Sequence, residues 1–497
     1  MSSTKKKLTI NALSAVIQVA FTGILYFFLY KYLLNELGVK QLGVWSLILS
    51  FSSIASLANL GITSGLVKFI ADYLAGKEEL KIGKLIFTAI LSISLFFGII
   101  SILVLFAAQY LLHFVIDKQY LALALDILPY SLGSLCINQI SGVFTSVLEG
   151  HQKNYLRNFI YIFSGILMFA AMVILTPIYG LLGMAIAQLI QAVFVLIFAL
   201  ILIFKINPYC RFSYWRWSKQ SFKELFSYGS KFQIVSLLQL LYEPTTKMLL
   251  SRFGGLALLG HYEMASRLIS QFRALLVGAN QVVIPVIAEK IKTQTPAHLK
   301  EFYGKMNRLL LLITLPLSTL LILLAPLISI LWIGSLNTDF TFSIYVLTIG
   351  TIFNIMCGPS YFSCLADGRL SVLVLVHFVM AVINLVLGYF LGLLIGGYGI
   401  ILAWGIALSL GSIFLIVEYL RKLSFSYLSL FTKNDYMLII VSMLIICSSI
   451  SFYSFDLFAL NHYIKIGFCS ILFLLYIPII LKNDNLKNLL INIKMKF

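Results

Sequence analysis

The chain has 497 residues, is 61% hydrophobic and only 11% charged, and carries a formal net charge of +18. No soluble domain has use for so much apolar side chain, and the basic residues are spread over many loops, which argues against a nucleic-acid-binding face. Apolar runs of about twenty residues recur from end to end, each long enough to cross a bilayer core of ~30 Å at ~1.5 Å per residue, and none alternates as a β-barrel strand would.

The expected fold is therefore an all-α integral membrane protein. The first run, 10–32, follows Lys5, Lys6 and Lys7 and is too long for a signal-peptide core, so it reads as a retained helix. The runs that follow are 43–69, 85–114, 123–148, 158–177, 181–204, 227–251, 258–287, 305–333, 341–364, 370–393, 398–420, 436–454 and 463–481, which makes about 14 transmembrane helices. With the N-terminus in the cytoplasm, most of the 36 Lys and Arg residues fall on inner segments. The densest loops hold Lys205, Arg211, Arg216, Lys219 and Lys223, and Lys290, Lys292, Lys300, Lys305 and Arg308. Both termini are then cytoplasmic. Cys136, Cys210, Cys357, Cys364, Cys447 and Cys469 lie mostly inside runs and are expected as free thiols, with neither disulfide nor zinc site.

The chain resembles itself. KYLLNELG from Lys31 matches KMLLSRFG from Lys247, GVKQLGVW from Gly38 matches GLALLGHY from Gly255, LEG at Leu148 matches ADG at Ala366, and YGLLG from Tyr179 matches YGIIL from Tyr398. Four matches in order at offsets of 216 to 219 indicate an internal duplication. Each copy holds six helices, so the two lobes share one orientation about an axis along the membrane normal. The expected organisation is a lobe at 1–204, a cytoplasmic linker at 205–226, a second lobe at 227–420, an additional helix pair at 436–481 and a cytoplasmic tail at 482–497.

Duplicated lobes suit a transporter with a cavity between them. On the eighth run Glu263, Arg267, Ser270 and Gln281 share one stripe at ~100° per residue, flanked by Gln271 and Arg273. Phe272, Leu276, Leu268 and Val283 fall opposite. On the seventh, Gln239, Glu243 and Lys247 step by four, beside Tyr242 and Thr246. A half-polar helix suits an aqueous cleft better than lipid. Glu243–Lys247 and Glu263–Arg267 are equally readable as local pairs that only neutralise each other. Arg273 has no acidic partner at that spacing and lies near mid-membrane. Lys31 and Lys247 are expected as repeat mates at the outer mouth, with interfacial anchoring the plainer role for Lys31. Lys68 and Lys231 lie near the inner surface. Pro129, Pro244, Pro316 and Pro359 offer bends.

The elements LGVKQLGVWSLILSFSSIASLANLG, SVLEGHQKNYLRN, IYGLLGMAIA and RFGGLALLGHYEMASRL resemble the polysaccharide-export (Wzx-type) flippases of the multidrug/oligosaccharidyl-lipid/polysaccharide exporter superfamily. The resemblance covers essentially the whole chain. It implies a bacterial inner-membrane flippase that moves undecaprenyl-pyrophosphate-linked oligosaccharide by alternating access, for O-antigen, capsule or a related surface polysaccharide. No cofactor and no metal are expected. Arg267, Arg273 and Lys247 correspond to the family's cationic cavity residues. Membrane lipid and the lipid-linked oligosaccharide are the implied partners, with polysaccharide polymerase and chain-length proteins as further candidates. Lipid II flippases of the superfamily carry a basic residue well inside the first helix, where this chain has only Asn11 and Gln18 before Lys31. A cation-coupled multidrug antiporter is the other transporter reading, with Glu243 or Glu263 as its cation site. A membrane enzyme would need acidic or histidine groups on sizeable outer loops, and those loops offer little beyond Asp117, Asp339, Asp456 and His462.

Overall fold

The structure, a computed structural model, describes residues 3–59, 61–281, 296–422 and 431–454, together with 467, 471, 473, 474 and 476. The described elements are helical. In chain order they are α1 (Ser3–Ile54), α2 (Ile62–Ala75), α3 (Leu80–Leu111), α4 (Lys118–Gly150), α5 (Asn154–Tyr179), α6 (Leu181–Ile206), α7 (Lys219–Gln281), α8 (Pro296–Ile333), α9 (Thr338–Met356), α10 (Gly358–Ala366), α11 (Leu370–Ile395), α12 (Gly397–Lys422) and α13 (Lys433–Ser454). Among the described residues, ten helices are long and apolar enough to cross a membrane, so the protein is a multi-pass, all-α membrane protein. Kinked α1 counts once among the ten, and α7, which carries the polar stripe, is not one of them. The expected helix at 463–481 lies almost entirely outside the described residues, as do Cys469, Asp456, His462, Lys290 and Lys292.

Several expected boundaries are corrected. The first and second runs are one helix bent at Gly38 (φ 76°, ψ 164°), and the seventh and eighth are one helix bent at Gly255 (φ 76°, ψ 171°). That region of backbone space is almost closed to residues with a Cβ. One glycine turns the chain here, where the sequence suggested short loops. The second run is broken by a 3-10 turn at Ala55–Asn59 and by left-handed Gly61 before α2 resumes. The tenth run breaks between Met356 and Gly358, and Pro359 opens α10 at its first turn instead of bending a helix. Pro129, Pro244 and Pro316 do lie inside helices.

The chain forms two compact units, Met1–Met264 with Tyr389–Ile400, and Ala265–Gly388 with Ile401–Phe497. In the first, α2 to α6 bury Leu66, Ile86, Val147, Ile160 and Ile203 against one another. The segment expected as a linker at 205–226 is folded onto this core, and α7 begins at Lys219, eight residues earlier than expected. Two 3-10 turns, Pro208–Cys210 and Phe212–Tyr214, lead into it. Asn207 Nδ2 donates to Glu79 Oε2 at 2.7 Å, Trp215 Nε1 donates to the Cys210 carbonyl at 2.9 Å, and the Trp215 ring stacks on Phe144. Burial pushes the Cys210 thiol up to about 12. In the second unit, Tyr476 bridges Thr319 of α8 and Ser442 of α13 at 2.8 and 2.7 Å. Arg308 reaches Asp435 at 3.6 Å.

The duplication is visible as repeated geometry. Beyond the paired glycine bends, 217 positions apart, the turn bonds His151 N to Val147 O, Gln152 N to Glu149 O and Lys153 N to Leu148 O recur as Asp367 N to Ser363 O, Gly368 N to Leu365 O and Arg369 N to Cys364 O, 216 positions on. The turns at Gly180 and Gly396 repeat in the same way, again at 216. The register expected from sequence drifted to 219 along the chain; the structural register moves by one residue.

Candidate functional site

Helix α7 carries the candidate residues, and the structure separates them into two groups. The first lies where the post-bend segments of α1 and α7 cross, within the first unit. A Cβ at Gly43 would overlap the Leu256 carbonyl oxygen, and a Cβ at Gly260 would overlap the Val39 carbonyl oxygen. Gly43 and Gly260 are repeat mates, and so are Val39 and Leu256. The two copies therefore touch through equivalent backbone atoms, and the repeat axis of this pair runs through the crossing.

Glu263 sits beside that crossing with 1% of its surface exposed. Its Oε1 accepts from Tyr30 Oη at 3.1 Å, and its Oε2 accepts from Ser46 Oγ at 2.6 Å. Lys247 Nζ, also 1% exposed, pairs with Glu263 Oε2 at 2.8 Å and with Glu243 Oε1 at 2.7 Å. Ser46 and Glu263 are repeat mates at 217, and so are Tyr30 and Lys247. The expected pairing of Lys31 with Lys247 is one residue out of register, because Gly254 and Gly255 both offered an alignment to Gly38. Lys31 is exposed, Lys247 is enclosed, and they are not equivalent positions. A buried charge pair of this kind holds together only with its remaining lone pairs and protons satisfied, which Tyr30 and Ser46 help to do. Neither the carboxylate–hydroxyl contacts of Tyr30 nor those of Ser46 were legible beforehand; the signal was their spacing of 217 from Lys247 and Glu263.

The second group lies in the second unit. Arg273 Nε donates to Asn354 Oδ1, on α9, at 2.7 Å. Arg273 is exposed and has no acidic partner among the described residues. Tyr361 and His377 lie within electrostatic reach of its guanidinium, and their rings meet edge-on with centroids 6.3 Å apart. Arg267 and Gln271 are partly exposed on the same helix, and Ser270 is exposed. The opposite face is not more enclosed: Phe272, Leu276 and Leu268 are partly exposed too. Gln239, Lys231 and Gln281 lie on the helix, but their side chains are outside the described ones, and Val283 lies outside the described residues. In the first unit, midway along α2, Lys68 sits over the rings of Phe69 and Tyr228, 5.1 and 4.7 Å from their centroids.

The architecture is one shared by MOP-superfamily transporters. A multidrug resistance MATE family transporter of that superfamily, in an inward-facing conformation, matches with a TM-score of 0.68 at 16% identity, covering 82% of this chain and 98% of that one. Lipid II flippase MurJ, in an inward closed conformation, matches with a TM-score of 0.67 at 18% identity over 93% of this chain and 97% of that one. In sequence, the Shigella flexneri protein named "Putative O-antigen transporter" is 23% identical over 409 residues, 79% of this chain and 93% of that protein. Residues 37–339, more than half of the chain, match the model of the family described as "Polysaccharide biosynthesis protein". The chain belongs to this polysaccharide biosynthesis family.

Proposed function

We propose that this protein is a flippase of the bacterial inner membrane. It translocates undecaprenyl-pyrophosphate-linked oligosaccharide repeat units by alternating access, for O-antigen, capsule or a related surface polysaccharide. The observation that carries the reading is membership of a polysaccharide biosynthesis family in a chain whose fold is shared with membrane transporters, a lipid II flippase among them. An O-antigen transporter name on a relative that aligns along most of both chains points the same way.

In this reading Arg267 and Arg273 hold the pyrophosphate, Arg273 through the planar fork that matches phosphate oxygens. Gln271 hydrogen-bonds sugar. Lys247, Glu263 and Glu243 are engaged with one another, so they contribute to the shape of the helix pair more than to the cargo contact. That same engagement disfavours a cation antiporter working through Glu263, whose carboxylate already has a lysine on it. The polyprenyl tail stays in lipid. The two lobes, 1–204 and 227–420, open alternately.

The test is a strain in which this gene is the sole flippase of its pathway. Neutralising Arg267 and Arg273 together should abolish surface glycan while the protein remains in the membrane, and lipid-linked repeat units should accumulate on the cytoplasmic face. Replacing each by lysine should retain part of the export, because charge survives although the fork is lost. Repeat units reaching the outer leaflet at the normal rate without the protein would overturn the proposal.

A further inference from the structure

The bond from Arg273 to Asn354 is of a particular kind. It uses Nε, the single inner donor of the guanidinium, and leaves the Nη1 and Nη2 protons without a partner among the described residues. Those outer protons form the fork that grips two oxygens of one phosphate. The acceptor is an amide, not a carboxylate. An aspartate at this position would fix the guanidinium just as well but would cancel its charge, and a neutral acceptor fixes it without doing so.

Asn354 is itself held. It lies in the last turn of α9, where Cys357 Sγ donates to the Asn354 carbonyl at 3.1 Å and Cys357 N closes onto the Phe353 carbonyl at 3.0 Å. Immediately beyond, Gly358–Pro359 opens α10, which carries Tyr361 towards the same guanidinium. His377 approaches from α11 and meets Tyr361 edge-on. Three helices of the second unit thus converge on one arginine, and none of them brings it a carboxylate among the described residues. Its repeat mate, Ser56, falls in the 3-10 turn at Ala55–Asn59, so the first copy has no equivalent site.

We propose that Asn354 is a positioning residue for anion binding: it holds Arg273 by Nε so that the Nη1/Nη2 fork, at full charge, presents to a phosphate oxygen pair of the cargo, with Tyr361 and His377 beside it. The proposal rests on the flippase reading of Arg273 and adds to it the residue that orients the fork and keeps its charge uncancelled.

The experiment uses full-length protein in lipid nanodiscs with undecaprenyl pyrophosphate as probe and undecaprenol as the uncharged control. N354D should weaken binding of the pyrophosphate more than tenfold, because a carboxylate now competes with the phosphate for the arginine. N354L, similar in size and unable to accept, should weaken it by about threefold through loss of orientation alone. R273Q should lose the preference for pyrophosphate over undecaprenol, and undecaprenol binding should be unchanged in all three. A merely structural Asn354 would instead lower the melting temperature and weaken both lipids equally, which overturns the proposal. If R273Q loses the preference and both Asn354 variants keep it, the positioning role fails and the anion site stands. If R273Q keeps the preference, Arg273 is not the anion site, and both ideas fall. Should N354D not fold, N354L against undecaprenol decides alone.

Discussion

Glu263 and Lys247 show how the same two residues change meaning once their neighbours are known. Read along one helix, each has an opposite charge four positions away, which suggests surface pairing of a few tenths of a kcal/mol. In the structure both are 1% exposed and joined to each other, with Tyr30 and Ser46 completing the carboxylate. Removing one partner of a buried pair strands the other's charge, at a cost of ~3–5 kcal/mol, whereas removing both charges together strands neither. E263Q and K247M should therefore each lower the melting temperature of the detergent-solubilised protein clearly, and the double variant should recover much of the loss. Single variants that melt like the parent would show that the pair is not enclosed. The sequence could supply the charges and their spacing. It could not supply Tyr30 and Ser46, because those contacts arise from a crossing between segments more than two hundred residues apart.

At the scale of elements, the crossing itself is the feature that sets the register of the two copies. Backbone meets backbone at Gly43 against Leu256 and at Gly260 against Val39, so neither glycine tolerates a side chain without displacing a main-chain carbonyl. G260A should cost ~1–3 kcal/mol, the range for overpacking, and lower the amount of folded protein in the membrane. Gly98, in the middle of α3 with nothing within 4 Å of its Cβ position, is the control: G98A should be neutral or stabilising by up to ~1 kcal/mol. Equal losses from both would remove the crossing as the cause. Apolar runs made the helices themselves legible, from α3 to α6 and from α11 to α13, to within about five residues, whereas α8 begins well before its run and the tenth run is two helices, α9 and α10. The bends at Gly38 and Gly255 were read as loops, because a single glycine with positive φ interrupts the hydrophobic pattern as a short loop does. The break at Ala55–Asn59 was missed for the opposite reason: its two polar residues, Ser56 and Asn59, are small and set among alanine and leucine, so they do not interrupt the apolar run.

At the scale of the whole chain, the order of the helices makes a statement about sides. If each expected span crosses once, the turns at 76–79, 150–154 and 205–218 share one side, and those at 112–117 and 251–256 share the other. Contacts within the first unit obey this parity. Asn207 joins Glu79 and His151, Asn11 joins Gln152 and Tyr155, and Ser251 joins Val115. Gly254 meets Gly397, at the end of an eleventh span that the same count places on the side of 251–256. No bond among these links a turn of one parity with a turn of the other. Parity does not say which side is the cytoplasm; the expectation from charge is that it is the first, because Lys77, Lys153, Lys205, Arg211 and Arg216 fall in its turns and Lys81 and Arg157 within a helical turn of them. A reporter that is active only outside the cytoplasm, inserted at Lys153, should therefore be silent, and the same reporter at Asp339 should be active. Activity at both, or at neither, would break the parity and with it the span count. Activity at Lys153 alone would keep the fold and invert it, leaving the basic loops on the outer face, where the retention of positive charge on the cytoplasmic side during insertion argues they do not belong.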